Sequence, residues 1–227
     1  MADGGEGLAE AILAVRGGTK RDVCVKDPLG RDITAFYGLL DDRTAVIEMA
    51  AASGLPLLTE SERNPMHATS YGTGQLIRAA LDDGCKSIIL GLGGSATNDG
   101  GLGMAQALGI RFLDADGKEV VPGGEGLLQV AAIDASGRDK RLDNVFLRLA
   151  CDVTNPLCGA DGASHVFGGQ KGADEAMRAE LDASMAHYAA MICKETGQDF
   201  TNTKGAGAAG GLSIPLLAFW QAEVASG

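Results

Sequence analysis

The chain is short of several things that would assign it quickly. Its 19 lysines and arginines stand against 30 aspartates and glutamates, a formal net charge of −11. So acidic a balance argues against nucleic acid or an anionic membrane as partner. It does not forbid a small anionic ligand, because backbone N–H groups in one loop outweigh a distant negative surface. There are only three histidines and no CxxC pair, so the common zinc patterns are missing. The five cysteines (Cys24, Cys85, Cys151, Cys158 and Cys193) are odd in number and scattered, as expected of reduced thiols in the cytoplasm. No apolar run approaches the length of a membrane span, and the first residues show no signal-peptide pattern. The main glycine-rich stretch, at 87–101, has neither a GxGxxG fingerprint nor a glycine loop closed by a P-loop lysine.

What the chain has in excess is glycine, 34 of its 227 residues. With 45% hydrophobic residues and a mean hydropathy of +0.06, the background is that of a globular protein. The glycines cluster between periodic segments and so punctuate a fold. The stretch at 87–101, SIILGLGGSATNDGG, is the most informative. Ile88, Ile89, Leu90 and Leu92 suit a central parallel strand buried on both faces. Gly91, Gly93 and Gly94 let the backbone turn tightly and approach a ligand. Ser95, Thr97, Asn98 and Asp99 then supply hydroxyl, amide and carboxylate groups ahead of a helix around Met104. Such a strand–loop–helix unit is a common way to seat an anion.

Along the chain, Leu8, Ile12 and Val15 recur at helical spacing until Gly17 and Gly18 stop the run. From 20 to 49 the period changes to two, with a turn at Asp27-Pro-Leu-Gly30 and another at Asp41-Asp42, which predicts an antiparallel meander. A polar connector at 60–65 leads to a helix over 73–83 with Leu76, Ile77, Ala80 and Leu81 inward. Strands are expected at 87–92, 111–113, 119–121 and 144–153. Met177, Leu181, Met185, Tyr188 and Ile192 step at helical spacing through 174–194 and mark a core-facing stripe. A last helix carries Ile214, Leu217 and Trp220, with Pro215 in its first turn.

Six blocks together resemble the type I glycerate kinase family: ADGGEG at 2–7, ERNPMHATSYGTGQLI at 62–77, GLGGSATNDGGLG at 91–103, CDVTNPLCG at 151–159, FGGQKGA at 167–173 and GAGAAGG at 205–211. Their order and spacing are those of the family. The resemblance implies an α/β fold with a Rossmann-like parallel-sheet domain, here residues 1–18 and 205–227. A second α/β domain at 19–204, containing the meander, is inserted into it. It implies a kinase, a phosphotransferase with an alcohol acceptor, acting in the cytoplasm. The reaction would carry phosphate from ATP, with Mg²⁺, to D-glycerate and give a phosphoglycerate, most simply the 2-phosphate. Self-association is left open. The family begins upstream with a strand and a lysine-containing loop and continues past the last block, so the chain reads as truncated at both ends. A non-catalytic ligand-binding or assembly fragment that keeps the fold is the alternative.

Phosphoryl transfer asks mainly for positioning and charge stabilisation: N–H-rich loops, carboxylates for Mg²⁺, a cation and an acceptor for the hydroxyl proton. Gly93, Gly94, Ser95, Thr97 and Asn98 are candidate donors to phosphate or to the substrate carboxylate. Asp99 is a candidate base or Mg²⁺ ligand, or else the cap of the following helix. Asp152, with Thr154 and Asn155, stands at a strand end and would hold Mg²⁺ or orient the glycerate hydroxyls, unless Asn-Pro only makes a turn. Lys171 is either the phosphate-facing cation or a solvated loop lysine. Arg63 and Asn64 would read a carboxylate or belong to a surface connector. Asp3 and Glu6 fall in the first matched block. Glu48 is unexpected in an apolar strand and points outward on the simplest reading. Cys158 and His165 lack a nucleophile–base arrangement and read as structural.

Overall fold

A computed structural model describes residues 7–225; Asp3 and Glu6, both candidates above, lie outside the described residues. Nine residues after Gly7 form helix α1 (Leu8–Arg16), and the alternating segment that follows forms strands β1 (Thr19–Lys26), β2 (Asp32–Leu39) and β3 (Thr44–Glu48). β1 and β2 are antiparallel, as are β2 and β3. The first turn closes on Asp27, whose Oδ1 accepts the N–H groups of Leu29 at 2.8 Å and Arg31 at 2.9 Å. Short helix α2 (Ala50–Ser53) and helix α3 (Tyr71–Asp82) then lead to β4 (Ser87–Gly91).

β3 is where the sheet changes character. It pairs antiparallel with β2 on one side and parallel with β4 on the other. β4 pairs in parallel with β7 (Phe146–Ala150), and β7 with the short β8 (Glu223–Ala225). The meander and the parallel strands are therefore one six-stranded sheet, ordered β1-β2-β3-β4-β7-β8. Both end segments of the chain reach it: α1 packs on β2 and β3, and β8 hydrogen-bonds to β7.

Alternation along the strands sends side chains to two different layers. Ala45, Ile47, Ile88, Leu90, Leu147 and Leu149 face a large core built with α3, helix α4 (Leu102–Ala107), helix α6 (Glu175–Thr196) and helix α7 (Ser213–Trp220). Val46 and Ala150 face the other way, toward Leu8 and Ala9 of α1. β4 departs here from the expectation of burial on both faces. Ile88 and Leu90 are fully buried, but Ile89, on the α1 side, is only half-buried, and Phe146 beside it is 46% exposed. Among the described residues, one helix is too little to cover that face.

α3 and α4 come unusually close because Gly74 carries no side chain; a Cβ there would lie 2.4 Å from the Met104 carbonyl oxygen. α6 has the expected inward stripe from Leu181 to Ile192, though Met177 is only half-buried. Asp174 caps it by accepting the Met177 N–H at 2.8 Å. The strand expected at 119–121 is not formed beyond one bridge, Leu113 to Glu119, because Pro122 has no N–H with which to extend it. β5 (Arg111–Leu113) pairs instead with β6 (Ala132–Asp134) in a separate two-stranded ribbon.

Candidate active site

The parallel strands end on one edge of the sheet, where α/β folds gather ligands. β4 runs out at Gly91, and the loop after it is laced to the segment following α2: Leu55 N–H donates to the Gly94 carbonyl at 2.9 Å, and Ala96 N–H to the Ser53 carbonyl at 2.9 Å. Gly94 takes a φ of 73°, so the tight turn needs glycine. β7 ends at Ala150 and is followed by Cys151 and Asp152. Between the two strand ends lies a cavity of about 130 Å³. Gly93, Gly94 and Ser95 form one wall and Asp152 with Val153 another. Gln170 and Lys171, from the turn after helix α5 (Ala163–Phe167), form a third, closed by Ala208 and Ala209. Four glycine and polar clusters far apart in the sequence thus meet at one cavity.

The candidates divide by where they stand. Gly93, Gly94, Ser95, Asp152 and Lys171 line the cavity. Asp152 is exposed, and Lys171 is 1% exposed. The Lys171 ammonium donates to the Thr97 carbonyl at 2.6 Å, so it is no solvated loop lysine. Burial lowers its pKa to about 7, against the pull of the Asp99 carboxylate. The hydrogen bond to Thr97 uses one of the ammonium's three donors.

Asp99 does not reach the cavity, which corrects its expected place as base or Mg²⁺ ligand. It is wholly buried, and its carboxylate accepts four hydrogen bonds: Ser70 N–H at 2.8 Å, Ser70 O–H at 2.8 Å, Gly101 N–H at 3.1 Å and Gly103 N–H at 3.3 Å. The geometry is that of a shared cap at the starts of α3 and α4, the other reading of this residue. Burial pushes its pKa up, opposed by those same donors.

Thr97 and Asn98 are fully buried behind the loop. The Asn98 amide donates to the Ser164 hydroxyl at 2.9 Å, while Thr97 Oγ1 and Asn98 Oδ1 meet no partner among the described residues. The Asn155 amide donates to the Asp161 carbonyl at 2.8 Å and so serves its own turn, and neither Asn155 nor Thr154 lines the cavity. Asn64 Oδ1 accepts the Met66 N–H at 3.0 Å, closing a local turn. Arg63 does not line the cavity; it packs on Gly172, where a Cβ would lie 2.3 Å from the Arg63 carbonyl oxygen and 3.1 Å from its Cβ, and its Nε is buried with no partner among the described residues.

Glu48 does not point outward. It is 8% exposed and accepts the Gly7 N–H at 3.1 Å and the Ala9 N–H at 2.7 Å, closing the start of α1. Burial pushes the Cys158 thiol up to about 12, in keeping with a structural role. Residues missed in the sequence are Ser70, Gln170, Ala208 and Ala209. Gln170 stands beside Lys171 in a matched block, and the alanines lie in a glycine cluster that offered no titratable side chain. Among the described residues no three His, Cys, Asp or Glu side chains gather to hold a metal. A nucleotide-borne Mg²⁺ needs only one or two protein carboxylates, and among the described residues Asp152 is the carboxylate that lines this cavity.

A parallel-strand edge with a glycine loop, a carboxylate and a buried cation around a small cavity defines an α/β protein with a small polar pocket at the strand ends. The glycerate kinase family profile matches residues 1–227. The chain belongs to the glycerate kinase family. It is 53% identical over its whole length to a glycerate kinase of Bacillus subtilis (strain 168), and 52% to a glycerate 2-kinase of Escherichia coli (strain K12). It covers 60% of each of those proteins. A crystal structure from Salmonella typhimurium LT2, described provisionally as glycerate kinase 2, superposes with a TM-score of 0.97 at 51% identity. That match covers 99% of this chain and 60% of the other. The chain thus spans about 60% of the length of the relatives it matches.

Proposed function

We propose that the cavity between β4 and β7 is the acceptor site of an ATP-dependent D-glycerate kinase acting in the cytoplasm. The observation that carries this reading is the meeting of Gly93, Gly94, Ser95, Asp152 and Lys171 around one space of about 130 Å³. That volume suits a three-carbon acid and is too small to enclose a nucleotide, which would lie across the opening. The loop N–H groups and the Ser95 hydroxyl suit an anionic oxygen, and the Lys171 ammonium adds positive charge beside them. Asp152 orients the acceptor hydroxyl and takes its proton. Phosphoryl transfer passes through a loose transition state, so most of the work is positioning and charge neutralisation. Mg²⁺, held by Asp152 and the nucleotide phosphates, would supply part of that neutralisation. Since one relative is named glycerate 2-kinase, 2-phosphoglycerate is the expected product.

The test is ADP release with D-glycerate and Mg-ATP, measured on this chain and on one extended to the length of its relatives. Release that depends on D-glycerate in either supports the reading. None in both sinks it.

A further inference from the structure

Two consecutive residues of the glycine loop hold it to the wall formed by Gln170 and Lys171. The Thr97 carbonyl accepts from the Lys171 ammonium at 2.6 Å, and the Asn98 amide donates to the Ser164 hydroxyl at 2.9 Å. Ser164 lies in α5 and Lys171 in the turn after it, and hydrogen bonds join the two. The Ser164 carbonyl accepts the Gly168 N–H at 3.0 Å, and the Gly168 carbonyl accepts the Lys171 and Ala173 N–H groups, both at 3.0 Å. The helix end is drawn in so tightly that a Cβ on Gly168 would lie 2.3 Å from the Ser164 carbonyl oxygen. The bonds therefore run in a ring, from Asn98 through Ser164, Gly168 and Lys171 back to Thr97, the residue next to Asn98. Among the described residues, no other hydrogen bond joins α5 and its turn to the glycine loop.

We propose that Asn98 and Ser164 are positioning residues for Lys171. Their bond fixes the root of the lysine side chain to the same loop that holds its head, and they act on a ligand in the cavity only through the ammonium. The proposal rests on the kinase reading for the identity of that ligand, but not for the ring itself. A lysine ammonium rides on a flexible four-carbon stem. One hydrogen bond at the head fixes its direction only if the backbone at the other end is fixed too, and Lys171 has both. Neither Asn98 nor Ser164 lines the cavity, and both are fully buried.

Packing alone does not account for Asn98. Its Oδ1 is buried with no partner among the described residues, and an unpaired buried carbonyl oxygen is destabilising. An apolar side chain of the same size would avoid that penalty. What the amide adds is the bond to Ser164, and with it a link from the glycine loop to the turn that presents Gln170 and Lys171. An ammonium held in place in this way needs no reorganisation when an anionic oxygen arrives beside it.

The experiment compares the wild type, Asn98→Leu and Ser164→Ala by the NMR signal of the Lys171 ammonium, assigned by its disappearance in Lys171→Arg. It is run below the lysine's pKa of about 7, where the group keeps its proton. Exchange of the ammonium protons with water is expected to quicken about tenfold in each variant, the worth of one hydrogen bond, beyond any change at the Leu76 amide of α3. Unchanged exchange, or an increase matched at Leu76, overturns the proposal, since a merely structural pair would loosen both places together. The two substitutions remove the same bond, so either decides if the other fails to fold. Calorimetric binding of D-glycerate is the second readout. Ser164→Ala is expected to weaken it about tenfold in the wild type and to leave it unchanged in a Lys171→Met background. An equal loss in both backgrounds overturns the positioning role. If the wild type binds no D-glycerate, the substrate reading falls, and the exchange comparison still upholds or overturns the ring.

Discussion

Lys171 and Thr97, 74 positions apart, are joined by a 2.6 Å hydrogen bond from ammonium to carbonyl. The bond ties the turn after α5 to the glycine loop and sets an ammonium at the back of the cavity. Burial has a cost that depends on pH. With its pKa lowered to about 7 from 10.5, Lys171 holds its proton less tightly in the folded chain than in the unfolded one. Stability therefore rises with pH from about 7 upward, as the penalty of the buried charge is relieved. Asp99, pushed up by its own burial, contributes the opposite slope, beginning in the acid range. From about pH 9 the buried thiols of Cys85, Cys151 and Cys158, kept protonated by the fold, also oppose the rise. Urea midpoints should climb between about pH 7 and 9 in the wild type and stay level in Lys171→Met. A flat wild-type profile would count against the assignment.

Asp152 is exposed and lines the cavity, so its removal should separate chemistry from folding. Asp152→Asn is expected to lower kcat by roughly 10²- to 10⁴-fold while thermal melting stays within a degree or two of wild type, as for other exposed sites. Steady-state rates and a melting curve in the family-length protein check both halves. A variant with near wild-type turnover would remove Asp152 from the mechanism.

Glu48 holds the start of α1 through the Gly7 and Ala9 amides. Glu48→Ala should cost about 1–2 kcal/mol, the usual effect of losing a helix cap. Amide exchange at Ala9 should accelerate, while the core of α3 changes only by the global loss. Protection of Ala9 unaltered by the substitution would mean that α1 is held by its apolar face alone.

Gly210 lies where two loops cross. Its φ is 68°, and a Cβ would stand 2.2 Å from the Thr97 carbonyl oxygen, the same atom that Lys171 binds. Gly210→Ala must push the loops apart, at about 1–3 kcal/mol of stability, and should weaken D-glycerate binding measurably by calorimetry. Wild-type affinity in this variant would show that the cavity tolerates loop movement.

Much of the fold is legible because it rests on local periodicity. The alternation over 20–49, the turn at Asp27 and the stripe from Leu181 to Ile192 each state their own structure. The seam between β3 and β4 is not legible, since nothing in Thr44–Glu48 says that one neighbour is antiparallel and the other parallel. At the site, residue types were informative and orientations were not. Asp99 and Asp152 look equivalent in sequence, yet Ser70, 29 residues away, claims one carboxylate and leaves the other to the cavity. Lys171 is flanked by residues typical of an exposed loop, and its burial depends on the Thr97 carbonyl, which carries no side-chain signature. Glu48 looked anomalous in an apolar strand because its partners are backbone amides of α1, invisible in residue identity.

One carboxylate closes two helices at once. Asp99 takes the Ser70 N–H at the start of α3 and the Gly101 and Gly103 N–H groups at the start of α4, while the Ser70 hydroxyl returns a bond by accepting the Met104 N–H at 3.0 Å. Neither helix end is satisfied until the other has arrived, so the pair should assemble and come apart as a single cooperative unit. Their first-turn amides would then exchange with one common opening free energy, and the glycine loop strung between β4 and α4 would inherit the rigidity of that unit.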